Sequence, residues 1–229
     1  MRILALIPAR GGSKRCPGKN IRLLGDKPLI VWSIDVAKEI SEICDILVST
    51  DDHEIATVSK NAGAFVPWLR PSFLANDNAT SVDAALHALD WYENKIRPVD
   101  ALLLLQPTSP FRTVDTINNG VKIFSSFAAC SVVGVSLTHD HPSWMFTIEN
   151  NRLISCFDNN GLAVRSQDLS SVYIVNGSFY LISPDSFRKC KTFFPNGTIP
   201  LVINSRKEVI DIDDEYDFAV AQCFARRDV

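Results

Sequence analysis

The hydrophobic residues near the N-terminus form a short apolar run that is followed by a segment of helical periodicity. Ile3 to Ile7 is continuously apolar and ends at Pro8, which is typical of a strand buried on both faces of a parallel sheet. Pro28 suits the first position of a helix, and apolar residues then recur at helical spacing as far as Ile40. The pattern predicts a buried strand followed by an amphipathic helix.

The same alternation of strand and helix continues as far as residue 135. A cap at Asp51 or Asp52 and a C-terminal Gly63 mark the second helix. The further predicted strands are 45–49, 101–105 and 131–135, and the further predicted helices are 81–92 and 114–127. Strands separated by helices indicate parallel neighbours with right-handed crossovers. We therefore predict a three-layer, doubly wound, mostly parallel α/β sheet, whose ligands bind in the loops at the carboxyl ends of its strands.

The alternation stops after Leu137. Residues 145–157 alternate weakly around Asn150 and Asn151, which predicts a hairpin, and no apolar pattern of helix length follows before about Asp213. We assign 138–173 to an inserted arm and assign 1–137 and 174–229 to the main α/β domain. An isolated hairpin is only marginally stable, so we expect the arm to pack on a second copy of the chain.

Composition narrows the classes of partner and compartment. With 229 residues, 46% of them apolar, the chain is predicted to form one main folded domain. A net charge of −3 provides no field for gripping a polyanion, so we expect no nucleic-acid partner, and any phosphate must be held by local cations. The six cysteines are widely spaced, and no apolar run approaches the length of a membrane helix. We expect a cytoplasmic protein without a membrane partner.

The loop after the first strand has the composition of a triphosphate site. Residues 8–20 contain three glycines and four cations, which are Arg10, Lys14, Arg15 and Lys19. Glycines allow the backbone to approach phosphate oxygens, and the cations neutralise the charge of a departing diphosphate. A solvated basic turn is the alternative for this segment taken alone.

Two familiar phosphate-binding motifs are absent from this loop. Five residues separate Gly12 from Gly18, and Asn20 rather than Ser or Thr follows Lys19, so the loop is not a P-loop. The spacing of its glycines also differs from the dinucleotide-binding fingerprint. The prediction of phosphate binding therefore depends on the cations of the loop rather than on a known glycine motif.

An acidic segment near the C-terminus is a candidate magnesium site. We interpret Val209 to Ile212 as the end of a strand, which places Asp211 and Asp213 on the same face. Carboxylate oxygens beside a triphosphate suit Mg²⁺. The alternative is that Asp213 or Asp214 caps the last helix, although capping does not explain Asp211.

Gln106 follows an apolar strand and is predicted to stand at the ligand-bearing edge of the sheet, where its amide can both donate and accept hydrogen bonds. The following Thr108-Ser109-Pro110 also fits an ordinary turn. For this segment alone, turn and site remain open.

Together these segments resemble the family of acylneuraminate cytidylyltransferases, which includes legionaminate and 3-deoxy-octulosonate relatives. The similar stretches occur in the family's order along most of the chain. They are Ile7-Pro-Ala-Arg-Gly-Gly-Ser-Lys14, the segment 69–81, Leu105-Gln-Pro-Thr-Ser-Pro110, Asn176-Gly-Ser-Phe-Tyr180 and Asp211-Ile-Asp213.

The resemblance implies a nucleotidyltransferase of Rossmann-like fold that joins CMP from CTP to a nine-carbon sugar acid and releases pyrophosphate. It implies catalytic roles for Arg10, Lys14, Lys19 and Asp211, and Mg²⁺ ligation by Asp211 and Asp213. The implied nucleotide-binding residues are Ala9, Gly11, Gly12, Ser13, Asn20, Arg70, Ala79 and Ser81. The implied sugar-binding residues are Gln106, Arg165, Tyr180, Phe193 and Phe194. The family is dimeric, and its small domain crosses to the partner's site.

The chain departs from the family pattern in the predicted arm. Trp144 stands where sialic-acid members often carry a lysine, and Ser166 stands where they commonly carry an arginine, with Arg165 one residue earlier. These departures bear on recognition of the sugar carboxylate and resemble the legionaminate branch.

Two other functions are alternatives. A sugar-1-phosphate nucleotidylyltransferase would favour a G-x-x-T-R-L loop, which is absent, and a non-catalytic nucleotide sensor would need neither Asp211 nor Asp213.

Overall fold

The computed structural model describes residues 1–76, 79–138, 140–157 and 165–226. In chain order, the strands are β1 (Ile3–Pro8), β2 (Leu23–Leu24), β3 (Lys27–Pro28), β4 (Ile43–Ser49), β5 (Ala101–Leu104), β6 (Ser131–Leu137), β7 (Phe146–Glu149), β8 (Arg152–Ser155), β9 (Tyr173–Ile182) and β10 (Ile199–Val202). The helices are α1 (Leu29–Lys38), α2 (His53–Asn61), α3 (Ser81–Lys95), α4 (Val114–Ser126), α5 (Pro184–Cys190) and α6 (Glu215–Ala225).

The apolar run at the N-terminus forms β1, which lies between β5 and the edge strand β4 in a six-stranded sheet of order β10-β6-β9-β5-β1-β4. β1 is parallel to both β4 and β5, and β10 is parallel to β6. β9 is antiparallel to its sheet neighbours, β5 and β6. The prediction of a mostly parallel α/β sheet is confirmed, and the antiparallel strand β9 was not predicted.

The side chains of β1 alternate between two apolar cores, which makes the fold three-layered. Ile3, Ala5 and Ile7 pack with α1, α2 and α4 on one face of the sheet. Leu4 and Leu6 pack with α3 and α5 on the other face. Both faces of β1 are therefore removed from water, as its continuous apolar sequence predicts.

The helix ends follow local capping chemistry. The Asp52 carboxylate caps α2 by accepting the N–H groups of Glu54 and Ile55, as predicted. Gly63 has φ +85° directly after the C-cap residue of that helix, a conformation that is inexpensive for glycine. Pro28 occupies the cap position before α1 rather than the predicted first helical position. α3 begins at Ser81 as predicted and continues past residue 92 to Lys95.

The prediction of a strand end at 209–212 is wrong. Residues 206–209 form a turn and 210–213 have no regular structure. The segment instead crosses beside the loop after β5, where the Ile212 N–H donates to the Thr108 carbonyl oxygen at 2.8 Å. The Ile212 side chain is buried with Cys16 and Phe218 in a third, smaller core. That apolar anchor holds the segment without sheet pairing.

Among the described residues, the short elements α5, β2, β3 and β10 were not predicted, because their sequences carry little periodicity. α5 has seven residues, with Pro184 in its first turn, and β2 and β3 pair through two residues each. The final helix α6 begins where the pattern placed it, and Asp214 forms its capping box with Asp217. No helix in the part of the chain that the structure describes has both the length and the apolarity needed to cross a membrane.

The predicted arm is the connection between two antiparallel neighbours. Leu137 at the end of β6 pairs with Tyr173 at the start of β9. The predicted hairpin is confirmed as β7 paired with β8, with Asn150 and Asn151 in its turn at φ +50° and +59°. Residues 139 and 158–164 of the arm, and residues 77–78 of the segment 69–81, lie outside the described residues. The arm's boundaries as a separate unit remain a prediction.

Candidate active site

A cleft of about 620 Å³ opens at the carboxyl ends of β1 and β5. The chain leaves β1 toward β4 on one side and leaves β5 toward β9 and β6 on the other. These neighbouring strands therefore form the switch point at which doubly wound sheets bind ligands. The cleft is lined by Pro8, Arg10, Ser13, Lys14, Arg15, Lys19, Asn20, Arg70, Leu74, Asn76, Ala79, Thr80, Ser81, Ala84, Gln106, Pro107, Thr108, Asp211 and Asp213.

The basic loop after β1 folds back on itself along one side of this cleft. Gly18, at φ +63°, leads into a short turn at Lys19–Ile21. The Asn20 side-chain amide donates to the Arg10 carbonyl oxygen at 3.0 Å. This bond joins the two ends of the loop, so its four cations all line the cleft. The loop therefore presents a concentrated positive charge where a triphosphate is predicted to bind.

Lys19 is the most buried cation of the loop, with 8% of its surface exposed. Its Nζ donates a short hydrogen bond to the Ile212 carbonyl oxygen. Burial lowers the pKa of Lys19, and the nearby charges of Asp213 and Asp211 act in the opposite direction. The ammonium group is thus held at a fixed place between the basic loop and the acidic segment.

Three of the predicted nucleotide-binding residues stand beside the cleft rather than on its lining. Ala9 is buried, and its N–H continues the pairing to β4 through the Ser49 carbonyl oxygen. The Gly11 N–H donates to Asp51, and a Cβ on Gly11 would lie 2.7 Å from the Asp52 carboxylate. Gly11 therefore allows the loop to approach α2 closely, while Gly12 has open space around it. Their predicted contacts with nucleotide remain predictions.

Asp211 and Asp213 face the same cleft although no strand holds them. Asp213 forms an ion pair with Arg15 at 2.8 Å. Desolvation raises the pKa of Asp211, a hydrogen bond from Thr108 lowers it, and repulsion by Asp213 raises it. Buried Ile212 between them points into the third core, so the period-two argument placed the two carboxylates correctly for a segment that is not a strand.

These two carboxylates fit a magnesium site that is completed by substrate. The described residues contain no cluster of three or more His, Cys, Asp or Glu side chains placed to hold a metal. Mg²⁺ at phosphate-transfer sites commonly takes one or two carboxylates, with phosphate oxygens and waters as its other ligands. A pair of hard oxygen donors opposite a basic loop matches that donor set.

The side of the cleft predicted to bind the nucleoside is built from Arg70 and the start of α3. Arg70 is buried, and its guanidinium donates to the Ser49 hydroxyl and carbonyl oxygens at the end of β4. Burial lowers the pKa of Arg70. Ala79 and Ser81 line the cleft beside Thr80, whose hydroxyl caps α3 in a capping box with Asp83. The helix N-terminus therefore faces the ligand space.

The predicted sugar-binding residues divide into three places. Gln106 lines the cleft. Tyr180 forms an aromatic cluster with Phe193 and Phe194, with ring centroids 5.4 and 6.0 Å from its own. Burial raises the pKa of Tyr180, and the charge of Asp211 adds to the increase, so this cluster adjoins the acidic segment. Arg165 is exposed in the arm and is not among the residues that line the cleft in the described part of the chain.

Several residues of the cleft were not assigned by the sequence. Arg15 and Thr108 both line the cleft, although the sequence pattern predicts only a loop cation at Arg15 and fits either a turn or a site at Thr108. Gly177, at φ +73°, packs against Gln106, whose side-chain oxygen would lie 3.2 Å from a Cβ there. Arg112 is buried and donates hydrogen bonds to the carbonyl oxygens of Gln106 and Ser178, the residue after Gly177. The polar Asn176-Gly177-Ser178 sequence inside a strand is the signal that marks this corner.

The chain is similar to proteins of known activity. A family model described as cytidylyltransferase matches residues 4–143. The chain is 41% identical to the CMP-N,N'-diacetyllegionaminic acid synthase of Legionella pneumophila, over 97% of this chain and 95% of that protein. It is 32% identical to the N-acylneuraminate cytidylyltransferase of Escherichia coli O18:K1:H7, over 96% of this chain, and it spans about half, 51%, of that protein.

The fold also matches a solved structure. A CMP:2-keto-3-deoxy-manno-octonic acid synthetase complexed with CTP superposes with a TM-score of 0.73, and the match covers 100% of both chains at 14% identity. That likeness shows a shared fold. The family model spans more than half of this chain, and the Legionella protein is similar along nearly its whole length. The chain therefore belongs to the cytidylyltransferase family.

Proposed function

We propose that this protein transfers CMP from CTP to a nonulosonic acid and releases pyrophosphate, and that its acceptor is of the legionaminate type. One observation carries the proposal: a single cleft brings the four cations of the loop after β1 opposite Asp211 and Asp213. The identity of 41% to a CMP-N,N'-diacetyllegionaminic acid synthase supports the choice of acceptor. Trp144, in place of the lysine expected for sialic-acid members, agrees with it.

In the proposed reaction, the anomeric hydroxyl oxygen of the sugar acid attacks the α-phosphorus of CTP in line. The new oxygen–phosphorus bond forms as the bond from the α-phosphorus to the bridging oxygen breaks, and pyrophosphate leaves. Arg10, Lys14 and Lys19 neutralise the charge that develops on the leaving group, and positioning supplies most of the remaining acceleration. The hydroxyl proton leaves to a base, for which Asp211 and a water molecule are the candidates.

Asp211 and Asp213 would hold Mg²⁺, which when bound withdraws charge from the phosphate oxygens. Before ligand arrives, Arg15 is the partner of Asp213 at 2.8 Å. We propose that Arg15 turns from Asp213 to the phosphates as the nucleotide enters. The Asn20 bond to Arg10 keeps the rest of the loop folded during that exchange.

We further propose a homodimer in which the arm packs on a second copy of the chain. The arm and the adjoining strand ends expose many large apolar side chains. They are Leu137, Trp144, Met145, Phe146, Ile148, Leu153, Ile154, Phe157, Tyr173, Ile174 and Val175. A surface of this kind on a chain with net charge −3 favours association through the hydrophobic effect. In such a dimer Arg165 would reach the partner's cleft and meet the sugar carboxylate.

The cytoplasm is the compartment we propose, because the cysteines do not pair. All six are free thiols in the structure, and unpaired cysteines are usual in a reducing compartment. CTP as a substrate fits the same location.

A panel of acceptors tests the proposed acceptor class. Pyrophosphate release from CTP is measured with legionaminate, N-acetylneuraminate, pseudaminate and 3-deoxy-octulosonate, and kcat/KM is compared. We expect the highest value for a legionaminate. A higher value for N-acetylneuraminate or 3-deoxy-octulosonate would move the assignment to that branch. Turnover of hexose 1-phosphates instead would indicate a sugar-1-phosphate nucleotidylyltransferase, and binding of CTP without any turnover would indicate a sensor.

A further inference from the structure

Arg112 is a buried cation that the proposed reaction does not yet use. Its side chain is 6% exposed, and its guanidinium contacts three uncharged oxygens. Nη1 donates to the Ser33 hydroxyl at 3.0 Å, Nη2 donates to the Gln106 carbonyl oxygen at 2.6 Å, and Nε donates to the Ser178 carbonyl oxygen. Among the described residues, no ion pair includes Arg112.

Burying a cation without a contacting carboxylate is costly, and an apolar side chain of similar volume would stabilise a core more easily. A buried guanidinium instead sets the relative positions of the groups that accept its hydrogen bonds. Its planar fork fixes several acceptors at once, which neither an apolar side chain nor a lysine can do. The identity of the acceptors therefore indicates what Arg112 is for.

Two of those acceptors belong to segments that meet at the cleft. Gln106 follows β5 and lines the cleft with its side chain. Ser178 lies in an irregular part of β9, where the pairing with β6 passes from Val135–Val175 to Val133–Tyr180. On β9 this interval contains three more residues than on β6, so β9 bulges. Bulges of this kind commonly re-aim side chains next to functional sites.

The bulge lies close to the side chain of Gln106. Gly177 adopts φ +73°, and a Cβ there would lie 3.2 Å from the side-chain oxygen of Gln106 and 3.5 Å from Asp211. Within the bulge, the Asn176 side-chain oxygen accepts the N–H and hydroxyl groups of Ser178. The rigid guanidinium of Arg112 therefore hydrogen-bonds both Ser178, the residue after Gly177, and the backbone of Gln106.

We propose that Arg112 is a positioning residue that fixes the acceptor end of the cleft by holding Gln106 against the bulge of β9. This inference rests on the proposed function, in which Gln106 contacts the sugar acid. A displacement of the Gln106 amide by a fraction of an ångström weakens its contacts with the acceptor, because hydrogen bonds depend steeply on geometry. The nucleotide side, at Arg70 and the start of α3, shares no hydrogen bond with Arg112 and is unaffected.

Two variants test this role with steady-state kinetics in which the sugar acid and CTP are varied separately. Arg112→Lys keeps the charge and loses the fork. Ser33→Ala removes only the acceptor on α1, which lies outside the cleft lining. Loss of hydrogen bonds to a charged group predicts a rise in the acceptor KM of about tenfold for Arg112→Lys and about threefold for Ser33→Ala. The KM for CTP should stay within about twofold, since that side of the cleft is unchanged.

Ser59→Ala is the matched control, because Ser59 is an equally buried helical serine whose hydroxyl donates within α2. It should leave both KM values unchanged. If Arg112→Lys fails to fold, Ser33→Ala compared with Ser59→Ala decides alone. An acceptor KM that does not rise, or a CTP KM that rises in parallel, would overturn the role of Arg112. Absence of turnover by the parent enzyme with every acceptor would instead contradict the proposed function, and the inference would fall with it.

Discussion

The Nζ atom of Lys19 donates a hydrogen bond to the backbone carbonyl oxygen of Ile212. This bond joins the basic loop after β1 to the segment that carries Asp211 and Asp213. The two halves of the cleft, which are more than 190 positions apart in sequence, are therefore held in a fixed relation before any ligand binds. Such preorganisation is what electrostatic stabilisation of a leaving group requires.

Replacing Lys19 should reduce catalysis more than stability. Lys19→Met removes a fixed charge near the departing pyrophosphate, so we expect kcat to fall by about 100-fold or more, as measured by pyrophosphate release. Lys122→Met, on the exposed face of α4, is the control and should retain parental kcat. A kcat for Lys19→Met equal to that of the control would remove Lys19 from the proposed mechanism.

Asp211→Asn and Asp213→Asn should each remove the response to magnesium while the fold is retained. Each substitution keeps the size of the side chain and removes one hard anionic ligand, so we expect kcat/KM to fall by about 100-fold or more. Binding of Mn²⁺ in the presence of a non-hydrolysable CTP analogue, followed by electron paramagnetic resonance, should weaken in parallel.

Asp115→Asn provides the comparison for these two variants, because Asp115 is exposed in the first turn of α4 and does not line the cleft. It should leave Mn²⁺ binding and kcat/KM unchanged. Unaltered Mn²⁺ binding in both Asp211→Asn and Asp213→Asn would contradict the assignment of the metal to this pair.

The sequence features that indicated the cleft are local. The cations of residues 8–20 and the pair Asp211 and Asp213 are each read from a short segment, and the α/β alternation brings strand ends together. The strand expected at 209–212 was wrong for a tertiary reason, since Ile212 is buried in the third core and bonds to Thr108. The side chains of residues 211–213 nevertheless alternate in direction, which is why the two carboxylates face one cleft.

The sequence did not predict strand β9 or the position of Arg112, because both depend on contacts between residues that are far apart in the chain. β9 contains Asn176 and Gly177, which are poor strand formers, and it forms because it is paired on both sides by β5 and β6. Arg112 follows a proline-rich turn and shows no local pattern. Its role depends on acceptors from α1, the loop after β5 and β9, which only the folded chain brings together.

Acidification should destabilise the protein through His87. Burial lowers the pKa of His87, and the charge of Arg70 lowers it further, while its ring stacks on Trp68 with centroids 5.5 Å apart. The unfolded chain binds a proton near the ordinary pKa of 6.5, whereas the folded chain resists protonation. His87 therefore leaves the free energy of unfolding unchanged above pH 6.5 and lowers it as the pH falls below that value.

The melting temperature measured between pH 7.5 and 5.5 checks this expectation. His87→Gln should show a smaller decrease over that range than the parent. His53→Gln, at the start of α2 and exposed, should follow the parental curve. Parent and His87→Gln curves that run in parallel would show that another group controls the acid response.

The apolar surface of the arm should control assembly. Ile148 is 74% exposed in the single chain, and burying a glutamate there in a dimer is unfavourable. We expect Ile148→Glu to be monomeric by light scattering and to have a raised KM for the sugar acid, because Arg165 no longer reaches a partner. Leu23→Glu, at a residue 59% exposed on β2 outside the arm, should remain dimeric. A parent protein that is monomeric at assay concentrations would refute the proposed dimer.

In the proposed function, one cleft binds CTP and a nonulosonic acid and joins them. Product analysis by mass spectrometry tests this after incubation of the enzyme with CTP, Mg²⁺ and N,N'-diacetyllegionaminate. We predict a CMP-sugar and pyrophosphate in equal amounts, with neither formed when the sugar acid is omitted. Pyrophosphate without a CMP-sugar, or no product with any nonulosonic acid, would contradict the account.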